Sequence, residues 1–146
     1  MKILLISACL LGEPCRYDGK SKPMDSALIA ALKEKYTLIP VCPEQLGGLP
    51  TPRTPSERVG ERVVMANGAD VTEAYRRGAE EALRLARSHG CTLALLKQRS
   101  PSCGSGEIYD GTFTRSLTPG DGVTAALLKA AGISVYGEDE IGKLLS

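Results

Sequence analysis

The sequence has no tryptophan, one phenylalanine and one histidine in 146 residues, and its charges nearly cancel, with 18 Lys and Arg against 17 Asp and Glu. Each shortage excludes something. A near-neutral chain poor in aromatics lacks the basic, base-stacking surface that tracks a nucleic-acid backbone, so no nucleic-acid polymer is expected as partner. One histidine, His89, nearly excludes a His-rich zinc site and a Cys–His nucleophile pair. No apolar run approaches the ~20 residues of a membrane span, so no membrane partner is expected either. The short apolar stretch at the N-terminus has one lysine before it and runs into Gly and Pro. It reads as a strand, not a signal peptide. Against these shortages stand five cysteines. The chain reads as cytoplasmic, where disulfides are rare, so the cysteines need another explanation.

The length is that of one domain of about 150 residues, enough to bury roughly two-thirds of its unfolded surface. Residues 1–146 are read as a single domain. Strand and helix patterns alternate along it. The run 3–8, rich in Ile and Leu, predicts a strand buried on both faces. Asp25 is placed to cap a helix over 26–36 whose inner face is Leu28, Ile29 and Leu32. Strands are expected at 37–41, 61–66, 92–96 and 133–136. Asp70 is expected to cap a long helix over 71–89, with a small inner face of Ala74, Gly78, Ala82 and Ala86. Its outer face carries Glu73/Arg77 and Glu80/Arg84 at i,i+4. Asp121 is read as the cap of a helix reaching Ala131, and Glu138-Asp139-Glu140 as the acidic start of a short last helix. This progression predicts a three-layer, Rossmann-like α/β domain with a mostly parallel sheet.

Three non-periodic segments remain: 9–24, 42–60 and 97–119. Each follows a predicted strand. In a parallel sheet all three lie at the carboxyl edge, where ligands bind. Cys9, Cys42 and Cys103 fall in these three segments, so topology alone brings distant thiols to one edge. Cys15 shares the first segment. Cys91 starts a strand at the opposite edge and reads as a small core residue. His89 is expected to bond the last carbonyls of its helix. No C-x-x-C pair is present, which weakens zinc-ribbon and thioredoxin readings. Three converging thiolates leave an iron–sulfur cluster, a three-Cys metal site or redox thiols. A cluster on three thiolates leaves one iron open as a Lewis acid. A thiol phosphatase or arsenate-reductase loop is a competing reading, but six residues rather than five separate Cys9 from Arg16.

Glu44, two residues past Cys42, is the candidate general base and acid, and Ser100, three before Cys103, the candidate proton relay. Gly47 and Gly48 are read as allowing close backbone approach to cluster or substrate, and Ser102 as a substitute for Ser100 in contacting substrate. Arg16, Lys20, Arg53, Arg58, Lys97 and Arg99 are candidates for a substrate phosphate. The free amides of the helix after Asp121-Gly122 are an anion-site candidate, with simple capping preferred.

Longer motifs carry a specific resemblance. Ser7-Ala8-Cys9-Leu10-Leu11-Gly12 with Arg16-Tyr17-Asp18-Gly19 is one. Pro40-Val41-Cys42-Pro43-Glu44 with Gly47-Gly48-Leu49-Pro50 and Pro52-Arg53 is the second. Leu96-Lys97, Ser100-Pro101-Ser102-Cys103-Gly104 and Ile108-Tyr109-Asp110-Gly111 form the third. Together, nearly end to end, they resemble the thiouracil desulfidase family, also known as domain of unknown function 523. The resemblance implies a 4Fe–4S cluster held by Cys9, Cys42 and Cys103. It implies that the open iron takes the sulfur of a small thiopyrimidine, as free base, nucleoside or nucleotide, and that the oxo pyrimidine and sulfide are the products. It points to the same Glu44 and Ser100. A non-catalytic iron–sulfur or metal-binding sulfur carrier is the alternative.

Overall fold

The computed structural model describes residues 1–20 and 23–146; residues 21 and 22 of the predicted loop 9–24 lie outside the described residues. In chain order the elements are β1 (Lys2–Ser7), α1 (Ser26–Lys35), β2 (Tyr36–Val41), α2 (Pro43–Leu46), β3 (Ser56–Val59), β4 (Arg62–Met65) and α3 (Thr72–Ser88). There follow β5 (Leu93–Leu96), β6 (Glu107–Tyr109), β7 (Leu117–Pro119), α4 (Val123–Ala130), β8 (Ser134–Gly137) and α5 (Ile141–Leu145). Four strands pair in parallel in the order β2-β1-β5-β8.

β1 is central, and its continuous Ile/Leu run serves both faces. Leu4 and Ile6 pack with Leu32 of α1, Tyr36 and Leu144 of α5. Leu5, between them, packs on the other side with Ala86 of α3 and Ala125 and Leu128 of α4. Two cores flank one sheet, which makes the three layers. Leu4, Leu5 and Ile6 are fully buried, each contributing roughly 1.5–3 kcal/mol. The small residues Gly78, Ala79, Ala82 and Ala86 form the buried stripe of α3. Among the described residues no helix is long and apolar enough to cross a membrane.

Several local expectations are corrected. The strand expected at 61–66 is not in the parallel sheet: β4 pairs antiparallel with β3, inside a segment read as loop. A second hairpin, β6–β7, also lies in a predicted loop. On α1, Leu28 is exposed and only Leu32 is fully buried. The ion pairs of α3 are at i,i+3, Glu73–Arg76 and Glu81–Arg84, rather than the i,i+4 pairs expected. Asp121 does not cap α4. Its carboxylate accepts from Gly106 N and Lys129 Nζ, both at 2.8 Å, while Gly122 takes the cap position. Asp25 does cap α1, accepting from Ala27 N, and His89 Nδ1 lies 3.0 Å from Leu85 O. Cys91 packs in the core, where burial pushes its thiol up.

Candidate active site

Parallel pairing sets Ser7 level with Val41 and Ile6 level with Leu95, so β1, β2 and β5 end at one edge. β1 leads to β2 on one side and β5 leads to β8 on the other, which puts a topological switch point between β1 and β5. A cavity of about 520 Å³ opens there. Cys9 enters it from a short 3-10 turn over Ala8–Leu11, Cys42 from the cap position of α2, and Cys103 from the loop after β5. Cys15 lines the same cavity, and the Cys42 thiol donates to its carbonyl at 3.7 Å.

The Cys103 loop is held by the start of α4. Val123 N donates to Pro101 O, and Thr124 N and Ala125 N to Ser102 O. The anion-site reading of this helix start is therefore corrected: loop carbonyls occupy its amides. Gly122 is required because a Cβ there would lie 2.4 Å from the Ser102 carbonyl carbon. Ser100 Oγ accepts from Ser102 N at 3.1 Å and Cys103 N at 2.7 Å, so it shapes the Cys103 turn while lining the cavity. Ser102 instead anchors the turn to α4. It is fully buried, with Oγ 2.9 Å from Thr124 Oγ1, and it does not line the cavity.

Glu44 reaches the cavity from the first turn of α2, and a close backbone contact sets that helix in place. A Cβ on Gly47 would lie 2.0 Å from Ala74 O, and one on Gly78 would lie 1.9 Å from Pro43 O. Gly47 thus serves the α2–α3 contact rather than substrate or cluster, and Gly48, at φ +90°, serves the turn that follows. Neither lines the cavity.

Sequence reasoning missed the partner of Glu44. Arg53 Nε donates to Glu44 Oε2 at 2.7 Å, Nη2 also contacts that oxygen, and the same Nη2 donates to Cys15 O at 3.0 Å. Arg53 Nη1 bonds Pro50 O and Thr51 Oγ1. The signal was Pro52-Arg53 within the second motif, read only as a phosphate candidate. Tyr75 of α3 also lines the cavity, and burial, aided by the charge of Glu44, pushes its hydroxyl up. Ser56 Oγ, on the same wall, is buried with no hydrogen-bond partner among the described residues.

Most phosphate candidates are already engaged. Lys97 pairs with Glu138 at 2.9 Å, Arg58 donates to Asp121 O, and Arg16 approaches Asp18 at 3.7 Å. The Glu138 of the expected acidic helix start also accepts from Gln98 N, tying the last segment to this loop. Cys9 does not head an open phosphate loop: Gly12 N and Glu13 N of its turn bond Cys9 O and Ala8 O.

The thiols at this edge are shifted by their surroundings. Burial pushes Cys103 up to about 12, eased only in part by hydrogen bonding with Ser7. Cys42 is pushed far above the usual thiol range by its hydrogen bond to Cys15 and by burial. At Cys15 the bond from Cys42 pulls down, but contact with Cys9 and burial outweigh it and raise the thiol to about 11. A bound metal ion would deprotonate coordinating thiols outright. Among the described residues no three His, Cys, Asp or Glu side chains are grouped to hold one ion. Zinc, with bonds of ~2.3 Å to sulfur, needs its thiolates close together. The donor set is soft, converges from three loops and frames a cavity, which fits a polynuclear iron–sulfur group.

Fold and site together define an α/β protein with a thiol-framed cavity at the switch point of a parallel sheet and a clamped carboxylate beside it. The chain belongs to the 2-thiouracil desulfurase family, which it matches over residues 4–140. It is 42% identical over 153 residues to the uncharacterized protein YbbK of Bacillus subtilis (strain 168), covering 98% of this chain and all of that one. It superposes on the solved structure of a 4Fe–4S-dependent thiouracil desulfidase, TudS, with a TM-score of 0.94 and 50% identity, over 99% of this chain and 95% of that one.

Proposed function

We propose that residues 1–146 form one domain that converts a small 2-thiouracil-like pyrimidine to its oxo form with release of sulfide, by non-redox hydrolysis. The observation that carries this reading is the convergence of Cys9, Cys42 and Cys103 with Glu44 and Ser100 on one cavity. Family membership and the likeness to a 4Fe–4S-dependent thiouracil desulfidase support it. Cys9, Cys42 and Cys103 would hold a 4Fe–4S cluster, which supplies an iron not filled by protein, a Lewis acid suited to sulfur.

The chain's own groups supply the proton transfers. Glu44 takes a proton from the attacking water and returns it to the departing group. Arg53 holds Oε2 of that carboxylate at 2.7 Å, which fixes its orientation on the cavity wall. Ser100 Oγ accepts two amides, and its own proton is free to donate toward the pyrimidine. Burial of Tyr75 and Arg53 limits the water around Glu44 and strengthens each of these interactions. All five cysteines are free thiols.

A non-catalytic cluster carrier would need the thiols but not the clamped carboxylate. Anaerobic purification tests the cofactor: a brown protein with about four irons and four acid-labile sulfides per chain is expected. Conversion of 2-thiouracil to uracil by that protein then separates enzyme from carrier. Absence of turnover in fully loaded protein overturns the enzymatic reading.

A further inference from the structure

The β6–β7 hairpin ends in a loop, 110–116, that is unusually well tied. Asp110 N donates to Ser116 O at 2.9 Å, and Asp110 Oδ1 accepts from Thr112 N at 3.0 Å and Thr112 Oγ1 at 2.6 Å. Hydroxyl contacts continue through Thr114 to Ser116. Three residues of this loop have positive φ: Gly111 at +91°, Phe113 at +59° and Arg115 at +61°. Glycine suits the first, where a Cβ would lie 2.9 Å from Arg58 O. Phenylalanine in the left-handed region is a true outlier, and it persists only where its surroundings over-determine it.

What over-determines it is one carboxylate. Glu57 of β3 is buried, and its Oε1 accepts from Gly111 N at 2.9 Å and from Phe113 N at 3.2 Å. A buried carboxylate is costly unless its hydrogen bonds are made, and here they are made to the strained loop. The ring so positioned belongs to neither hydrophobic core; it is half-buried and lines the cavity with Cys9, Cys42, Cys103, Glu44 and Ser100. Phe113 is the chain's only phenylalanine.

We infer that Phe113 is the surface on which the substrate's pyrimidine ring stacks, and that Glu57 is the positioning residue that holds it there; this rests on the thiopyrimidine reading above. A planar heteroaromatic ring gains from an aromatic wall whatever its substituents, and a pre-formed wall loses no entropy on binding. Strain at Phe113 then sets ring orientation, while the thiols, Glu44 and Ser100 handle the C–S bond.

The test uses cluster-loaded protein, with KM and kcat for 2-thiouracil and calorimetric binding of uracil. Phe113→Ala is expected to raise KM and weaken uracil by about 5- to 150-fold, the span of base–aromatic stacking, with kcat and iron content near wild type. Phe113→Tyr is expected to restore both. Phe113→Gly removes the ring and the strain together, so it is expected to match alanine in KM without a lower melting temperature. Glu57→Ala is expected to raise KM likewise, and Glu57→Gln, which keeps an acceptor, to recover it. Unchanged KM and uracil affinity in both the alanine and glycine variants of Phe113 overturn the stacking role. Loss of melting temperature in Glu57→Ala with unchanged KM overturns the positioning role. If wild-type protein fails to turn over 2-thiouracil, the enzymatic reading falls, and the uracil and 2-thiouracil affinities of the same variants still decide the stacking.

Discussion

Arg53 binds Glu44 and Cys15 with one guanidinium: Nε lies 2.7 Å from Glu44 Oε2, and Nη2 lies 3.0 Å from the Cys15 carbonyl. The carboxylate two residues past Cys42 is thereby tied to the loop that carries Cys9 and Cys15. Arg53 is nearly inaccessible to solvent and Glu44 only 14% exposed, so removing one partner strands a buried charge. Arg53→Ala is expected to destabilise the protein by about 3 kcal/mol in urea unfolding and to lower kcat more than cluster content. Arg53→Lys keeps the charge but loses the fork, and should recover little of the activity.

The cysteines divide by role. Cys9→Ala, Cys42→Ala and Cys103→Ala should each abolish the cluster, read as iron and acid-labile sulfide after anaerobic reconstitution. Cys91→Ala should keep a full cluster and lose about 1 kcal/mol, since it only packs in the core beneath the sheet.

Glu44→Ala should retain iron and sulfide at wild-type levels while kcat falls about 10²- to 10⁴-fold, the usual contribution of a general base. Ser100→Ala should do two things. It leaves the amides of Ser102 and Cys103 without their acceptor, about 1–3 kcal/mol of stability, and it removes a donor from the cavity. Unfolding and turnover measured on the same variant separate the two.

Gly47→Ala and Gly78→Ala should each cost roughly 3 kcal/mol in urea unfolding, because the added Cβ meets a carbonyl across the α2–α3 contact. Activity should fall further than stability alone explains, since α2 carries Glu44.

Asp70 makes a pH prediction. Hydrogen bonds from Thr72, then from Arg62, pull its carboxyl down to about 2, against ~3.9 for a free aspartate. A depressed folded pKa gives stability that is present above the unfolded value and lost as pH falls through the folded one. Asp70→Asn should therefore flatten the acid side of the stability curve between about pH 4 and 2, with no change in shape near neutrality.

The sheet edge was legible because a buried Ile/Leu run, a β-rich segment before Cys42 and the 92–96 strand each end just before a cysteine-bearing segment. Parallel topology then does the rest. The two hairpins were not legible. β3 reads Ser-Glu-Arg-Val and β7 Leu-Thr-Pro, too short and too polar for alternation to show, and their pairing is tertiary. Ser100 and Ser102 differ only in which way the turn docks on α4. Gly47 was placed near substrate because its true neighbour, α3, lies far along the chain. Glu57 and Phe113 gave no local signal, since what joins them spans 56 residues.

The most direct measurement is turnover of 2-thiouracil by one preparation carried stepwise from cluster-free to fully loaded under anaerobic conditions, with uracil, sulfide and protein-bound iron followed together. Uracil and sulfide forming in equal amounts, at a rate proportional to clusters bound and absent in the Cys42→Ala variant, is the expected result. Turnover of 2-thiouracil by iron-free protein contradicts it.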